Sequence, residues 1–96
     1  MKSLTEIKKI INNIKPILKK EFNVENIFIF GSYARGDQTE ESDLDLIVEI
    51  KGFIGLNIFD LEDFLEHKLG LKVGVLTSSV LKSKKANRIK RDLIHV

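Results

Sequence analysis

A small-residue turn and a pair of aspartates stand a short distance apart near the middle of this 96-residue sequence. Gly31 and Ser32 directly follow an apolar run at 27–30, and Asp43 and Asp45 come after ten further residues. A Gly-Ser step lets the backbone approach an anion and offers a hydroxyl and turn N–H groups as hydrogen-bond donors. Paired carboxylates suit Mg²⁺, which completes its shell with water and substrate phosphates. The pattern therefore predicts one site that holds a triphosphate and a metal.

Both aspartates are expected to project from the same face of a strand. Residues 44–50 alternate well enough between apolar and polar side chains to form one. Because side chains two residues apart share a face, Asp43 and Asp45 point together, while Leu44 and Leu46 point to the core. Two like charges held this close repel each other and raise a carboxyl pKa, unless a divalent cation lies between them.

The spacing between the turn and the aspartates is specific. A Gly-Ser pair with Asp-x-Asp at one fixed distance should occur by chance in roughly one chain in a thousand of this length. The pattern, with Ala34-Arg35-Gly36 after the turn, resembles the signature of the polymerase-beta-like nucleotidyltransferase superfamily. Its short form looks like the minimal nucleotidyltransferases, which are often encoded beside a HEPN-domain protein as the antitoxin of a toxin–antitoxin pair. The resemblance covers nearly the whole chain.

This resemblance implies a fold, an activity and a set of site residues. The fold is a small α+β domain with a mixed sheet and flanking helices, similar to the polymerase-beta palm. The activity is Mg²⁺-dependent transfer of AMP from ATP, or of another nucleotide, to a tyrosine hydroxyl of a HEPN-domain toxin. Gly31, Ser32 and Arg35 would bind the nucleotide. Asp43 and Asp45 would be the catalytic residues and the metal ligands.

One position departs from the family pattern. The resemblance implies a third carboxylate on the third strand, where it helps to hold the metal and accepts the proton of the attacking hydroxyl. Gly74 stands there instead. Two carboxylates and the substrate phosphates can still bind Mg²⁺, but loss of a general base typically costs about 10²- to 10⁴-fold in rate. The alternative is a catalytically weakened nucleotide-binding antitoxin that neutralises its partner by association.

Periodicity predicts the elements that carry these residues. Apolar residues at three- and four-residue steps favour helices at 3–20 and 56–69, the first kinked or ended early at Pro16 and the second ended by Gly70. Strands are predicted at 27–30, 44–50 and 71–76, the last two parallel because a helix separates them. The remaining predictions are a connector at 22–26, a glycine loop at 51–55 and a last helical stretch capped by Thr77 or Ser78.

Length and composition bound the kind of protein. Ninety-six residues make one domain, here residues 1–96 as a single nucleotidyltransferase domain, which buries about 65% of its unfolded surface. The sequence holds no cysteine, so disulfides and thiolate metal sites are excluded. No apolar run reaches the length of a membrane span and no signal-peptide pattern opens the chain. The expected location is the cytoplasm, away from any membrane.

Charge is unevenly distributed along the chain. Residues 31–66 hold ten acids and two bases, whereas 71–96 hold seven bases and one acid. The basic end lacks interleaved aromatic residues, which favours a solvated face or an acidic protein partner over nucleic acid. Acids at 60, 62, 63 and 66 are interpreted as a solvated face or a surface for a basic partner.

Two questions stay open from the sequence alone. Arg35 could contact phosphate oxygens, or it could pin the turn to Asp37 or another acidic neighbour. The chain is too short for a separate acceptor-recognition region, so it is expected to act with another subunit, in a homo- or hetero-oligomer. The sequence identifies neither the preferred nucleotide nor the acceptor.

Overall fold

The computed structural model describes residues 2–52 and 58–96. Of the predicted loop at 51–55, only residues 51 and 52 are described, and the predicted helix start at 56 lies outside the described residues. Within them, no helix is both long and apolar enough to cross a membrane. The elements are α1 (Leu4–Phe22), β1 (Val24–Phe30), α2 (Ser32–Arg35), β2 (Leu44–Ile50), α3 (Ile58–Leu69), β3 (Val73–Thr77), 3-10 turns at Ser78–Lys82 and Lys84–Ala86, α4 (Asn87–Asp92) and β4 (Ile94–His95).

The first helix begins at a capping box. The Ser3 hydroxyl accepts from the Glu6 amide at 3.1 Å, and the Ser3 amide donates to the Glu6 carboxylate at 3.1 Å. The predicted early end at Pro16 is wrong, because α1 continues to Phe22. A proline inside a helix costs about 3 kcal/mol. Burial of the Leu18 side chain, which is 1% exposed, stabilises the fold by roughly 1.5–3 kcal/mol and so offsets this cost.

The first strand begins earlier than predicted. Residues 22–26 were expected to be a connector, but the chain reverses at Asn23 alone, whose φ of 55° is left-handed, and β1 starts at Val24. The sequence pattern did not indicate this start, because the first part of β1 contains polar residues. In the structure, Asn26 pairs with Glu49 of β2, and its amide donates to that carboxylate at 2.7 Å. Cross-strand pairing therefore extends β1 over a stretch that lacks an apolar pattern.

The four strands form one mixed sheet in the order β3-β2-β1-β4. β2 runs antiparallel to β1 and parallel to β3, and the parallel pairing is the one that the sequence predicted. Asp45 in β2 therefore lies between Phe30 of β1 and Gly74 of β3. The α+β architecture with a small mixed sheet and flanking helices is confirmed. The carboxylate strand occupies an interior position, where its backbone is fixed from both sides.

Two long helices cover one face of the sheet. α1 and α3 meet through Phe22 and Phe64, whose ring centroids are 5.2 Å apart, and both helices pack on the inward face of β2. The buried residues that line them are Ile7, Ile11, Ile14, Leu18, Leu61, Leu65 and Leu69. Tyr33 of α2 joins this core at 4% exposure. Burial of the Tyr33 side chain therefore anchors the short α2 to the core.

The opposite face of the sheet carries the aspartates and is covered by the C-terminal segment. The predicted last helical stretch begins after Thr77, one of its two predicted caps, but it is divided into two 3-10 turns and the six-residue α4, and β4 follows. The first turn packs against β2 and α4 packs against β1. Ile47 and Ala86 are fully buried on this side. The chain end then pairs with β1, with Ile94 opposite Ile29. These contacts bring α4 to the aspartate end of the sheet.

The free edge of β3 is closed by two glutamates of α3. Glu62 accepts from the Val75 amide at 2.8 Å, and Glu66 accepts from the Val73 amide at 3.0 Å. Their interpretation as part of a solvated face is therefore wrong. Both glutamates are only half exposed, and they satisfy the outward N–H groups that an edge strand leaves unpaired.

We expect Glu62→Ala to lower the free energy of unfolding by about 1–2 kcal/mol, because it leaves a partly buried amide without its charged acceptor. Urea denaturation measures the change. Asp63→Ala is the matched control on the same helix, since Asp63 is exposed, and it should alter stability by less than about 0.5 kcal/mol. Equal losses in the two variants would show that the edge bond contributes nothing.

Candidate functional site

All five residues that the sequence singled out line one pocket of about 420 Å³. It opens where β1 ends, α2 begins and β2 starts. The turn supplies Gly31, Ser32 and Arg35, and the strand supplies Asp43 and Asp45. The topology thus brings the small-residue turn and the carboxylate pair together, although ten residues separate them in the chain.

Gly31 is required by both conformation and space. Its φ of 75° and ψ of −151° belong to a region that only glycine adopts readily. A Cβ at this position would also collide with the carboxylate of Asp45. The Gly31 carbonyl accepts the Arg35 amide at 3.0 Å and so closes the single turn of α2. Gly31 therefore lets the backbone turn while the Asp45 carboxylate lies directly against it.

A tight turn holds the segment before the aspartates. The Thr39 amide donates to the Ser42 hydroxyl at 2.9 Å, and the Ser42 amide donates to the Thr39 carbonyl at 3.0 Å. Asp43 follows at once and is exposed, whereas Asp45, one pleat further into β2, is half-buried. The pair therefore has one carboxylate at the rim of the pocket and one in its wall.

Asp45 has the perturbed electrostatics expected of a ligand without its cation. Burial raises the pKa of its carboxyl, and the neighbouring charge of Asp43 raises it further, while Arg35 acts in the opposite direction. Desolvation and a like charge both favour the protonated form. Two carboxylates and the adjacent Ser32 hydroxyl form an oxygen donor set that fits a hard divalent cation such as Mg²⁺, with water and phosphate completing its shell.

Gly74 lies beside this pair, as its place in the sequence implied. It is the β3 partner of Asp45, and a Cβ added to it would be 3.6 Å from an Asp45 carboxylate oxygen. The position therefore has room for a side chain directed at the site. Among the described residues, no cluster of three or more histidines, cysteines or acids could hold a metal. Glu49 bonds Asn26 and does not replace the absent carboxylate.

The structure shows one of the two contacts considered for Arg35, the one made within the chain. Its guanidinium donates to Asp37 at 3.1 Å and to Asp92 at 3.1 Å. These bonds hold its pKa above the ordinary value. The first bond pins the turn, as one of the two alternatives predicted. The second reaches 57 residues along the chain and ties the turn to α4.

Sequence reasoning missed the wall that α4 contributes. Arg88, Ile89 and Asp92 line the same pocket as the aspartates. A signal was available, because Arg88 and Asp92 are four residues apart and share one helix face. The basic composition of the segment hid it. The run was interpreted as a solvated or partner-binding face, but its return to the site depends on β4 pairing with β1.

Comparison with known proteins agrees with this architecture. The family model described as a nucleotidyltransferase domain matches residues 11–95. A protein of Methanocaldococcus jannaschii, named provisionally as a protein adenylyltransferase, is 44% identical over the full length of both chains. The match therefore spans both walls of the pocket, from the turn to α4.

Two solved structures share the fold. One, described as a candidate minimal nucleotidyltransferase, superposes with a TM-score of 0.75 at 26% identity and covers 97% of this chain and 95% of that one. The other, a toxin–antitoxin complex with AMP-PNP, gives a TM-score of 0.66 at 25% identity and covers 88% of this chain and 69% of that one. The chain therefore belongs to the nucleotidyltransferase-domain family and is a nucleotidyltransferase of the minimal type.

Proposed function

We propose that this chain transfers AMP from ATP to a tyrosine hydroxyl of a HEPN-domain toxin and thereby acts as its antitoxin. The observation that carries the proposal is the single pocket in which Gly31, Ser32, Arg35, Asp43 and Asp45 meet. A triphosphate needs donors and a cation, and this pocket joins a hydroxyl turn to a carboxylate pair. Because ATP is the donor, the cytoplasm is the expected compartment.

In the proposed reaction, the acceptor oxygen attacks the α-phosphorus of ATP. The bond from that phosphorus to the β-phosphate oxygen breaks, and pyrophosphate leaves. Ser32 and the backbone of the turn bind phosphate oxygens, and Asp43 and Asp45 would hold Mg²⁺. When bound, this ion would supply neutralisation of the phosphate charge, which is the larger part of phosphoryl-transfer catalysis. Gly74 carries no base, so the proton of the hydroxyl passes to solvent or to a group of the partner.

Both the nucleotide and the acceptor have support from relatives. AMP-PNP, an ATP analogue, is named with the toxin–antitoxin complex that shares this fold. The Methanocaldococcus relative is named provisionally for transfer to protein. The HEPN domain and the tyrosine rest on the family resemblance of the Gly-Ser and Asp-x-Asp pattern. We infer a hetero-oligomer with that partner, because one solved structure that shares this fold is a toxin–antitoxin complex.

The position of Gly74 supports a second candidate function. A chain without the third carboxylate can still bind nucleotide through its turn and its two aspartates, and it can neutralise a toxin by association alone. The two candidate functions differ in the rate of nucleotide transfer. A missing general base lowers a rate by about 10²- to 10⁴-fold and leaves the fold intact.

We expect the product of the neighbouring gene, which under this proposal is a HEPN-domain toxin, to gain one or more AMP units when it is incubated with the chain, ATP and Mg²⁺. Intact-protein mass spectrometry measures the gain. The Asp43→Asn/Asp45→Asn double variant is the control and should give none, because neutral amides cannot hold the metal. A stable complex without any mass gain would support neutralisation by association instead.

We expect Gly74→Asp to raise the initial rate of transfer by about 10²-fold or more, because it restores a carboxylate beside Asp45. The backbone accepts the change, since the nearest atom to the added Cβ would be an Asp45 oxygen at 3.6 Å. Gly74→Asn has the same shape without the charge and is the matched control. If both variants had the wild-type rate, Gly74 would not limit catalysis.

We expect Asp45→Asn to stabilise the metal-free protein at neutral pH, by at most about 1 kcal/mol because a half-exposed charge is screened. The pKa of the Asp45 carboxyl is raised in the folded state, so folding loses stability as pH rises through that pKa. The advantage of asparagine should be full above the raised pKa and disappear as pH falls toward the ordinary value of 3.8.

Urea unfolding in EDTA at several pH values measures this dependence. Asp63→Asn, on the outer face of α3, is the control and should show no such trend. A lower stability of Asp45→Asn at neutral pH would mean that the Asp45 charge is favourable even without a cation.

A further inference from the structure

We propose that Arg88 of α4 binds the β- and γ-phosphates of the nucleotide and is the guanidinium that this pocket offers to the substrate. This inference rests on the proposed function, because it requires a nucleoside triphosphate in the pocket. It assigns to the C-terminal segment a role that neither the turn nor the aspartate pair performs.

Arg88 is available for an anion, whereas Arg35 is not. The Arg35 guanidinium is engaged by two carboxylates, those of Asp37 and Asp92. Arg88 is exposed, lines the same pocket, and makes no hydrogen bond or ion pair with the parts of the chain described, 2–52 and 58–96. A guanidinium presents a planar fork of donors that matches phosphate oxygens. The guanidinium of Arg35 is therefore already paired, whereas that of Arg88 is available to bind an anion.

The position of Arg88 is fixed by the rest of α4. Asp92 lies one turn further along the helix on the same face, and it is bonded to Arg35. At the other end, Ala86 is 1% exposed and anchors the start of the helix against the sheet side. Arg88 lies between these two attachments. The ion pair of Arg35 and Asp92 therefore acts as a positioning contact that holds Arg88 over the pocket.

A second cavity adjoins the pocket and shares three lining residues with it, Arg35, Arg88 and Asp92. It has a volume of about 360 Å³ and is lined by Arg35, Arg88, Arg91 and Asp92. Arg88 lines both cavities, so it stands at their junction. The transferred α-phosphate belongs at the aspartate pair. A triphosphate that continues from there into the basic cavity passes Arg88 with its β- and γ-phosphates.

Charge balance supports the same assignment. The aspartate pair needs a cation to accept a polyanionic substrate, and one metal ion compensates only the two carboxylates. ATP brings several further negative charges into the pocket. Arg35 is already neutralised by its own two carboxylates, and Arg91 lines only the second cavity. Arg88, which lines both cavities, is therefore the guanidinium at the aspartate pocket that can offset the charge of the departing pyrophosphate.

The experiment is calorimetric titration of the chain with AMP-PNP in the presence of Mg²⁺. We expect Arg88→Ala to weaken binding by about 10- to 100-fold, the usual loss for charge-assisted hydrogen bonds to phosphate. Arg88→Lys should fall between the two, since it keeps the charge and loses the fork. Lys90→Ala removes one charge from the same helix, outside both cavities, and should bind like the wild type.

Titration with AMP separates phosphate recognition from a general effect on the pocket. Arg88→Ala should bind AMP as the wild type does, because AMP lacks the outer phosphates. Equal binding of AMP-PNP by Arg88→Ala and Lys90→Ala would overturn the assignment of Arg88, and so would an equal loss of AMP and AMP-PNP. Failure of the wild type to bind AMP-PNP at all would instead overturn the proposed function.

Discussion

The half-buried carboxylate of Asp45 is the constraint on which the arrangement of this molecule depends. A charge at that place in a sheet requires a neighbour without a side chain at Gly31, a conformation that only glycine adopts readily, and an interior strand rigid enough to hold it. The cost appears as a raised pKa, because burial and Asp43 both oppose ionisation. Burial and a like charge both disfavour the ionised form of this carboxyl, and a bound cation would favour it.

One face of the sheet carries the hydrophobic core, and the other carries the candidate site. The face under α1 and α3 is an apolar core whose largest members are fully buried. The other face is covered by the short elements of residues 78–96, of which only Ala86 is buried, and the ion pair of Arg35 and Asp92 ties them to the turn. An exposed ion pair contributes little to folding. Its value here lies in geometry, since it holds a cationic helix beside the carboxylates.

Sequence reasoning located the centre of the site and missed its outer wall. The turn and the aspartates were predictable because their roles depend on local residue types, and the parallel pairing of β3 with β2 followed from the intervening helix. The start of β1 at Val24 was hidden because its polar residues pair across the sheet and not with an apolar core. The contribution of Arg88 was hidden because a two-residue strand, Ile94–His95, brings α4 back to the sheet. A two-residue strand is too short to show an alternation of apolar and polar residues.

The closed edge of β3 also bears on how copies of this chain meet. A parallel edge strand offers its outward amides as a template on which a second sheet can grow. Here the amides of Val73 and Val75 are already bonded to Glu62 and Glu66 of the same molecule. The helix that completes the core therefore also withholds the donors that sheet-to-sheet polymerisation would need at this edge.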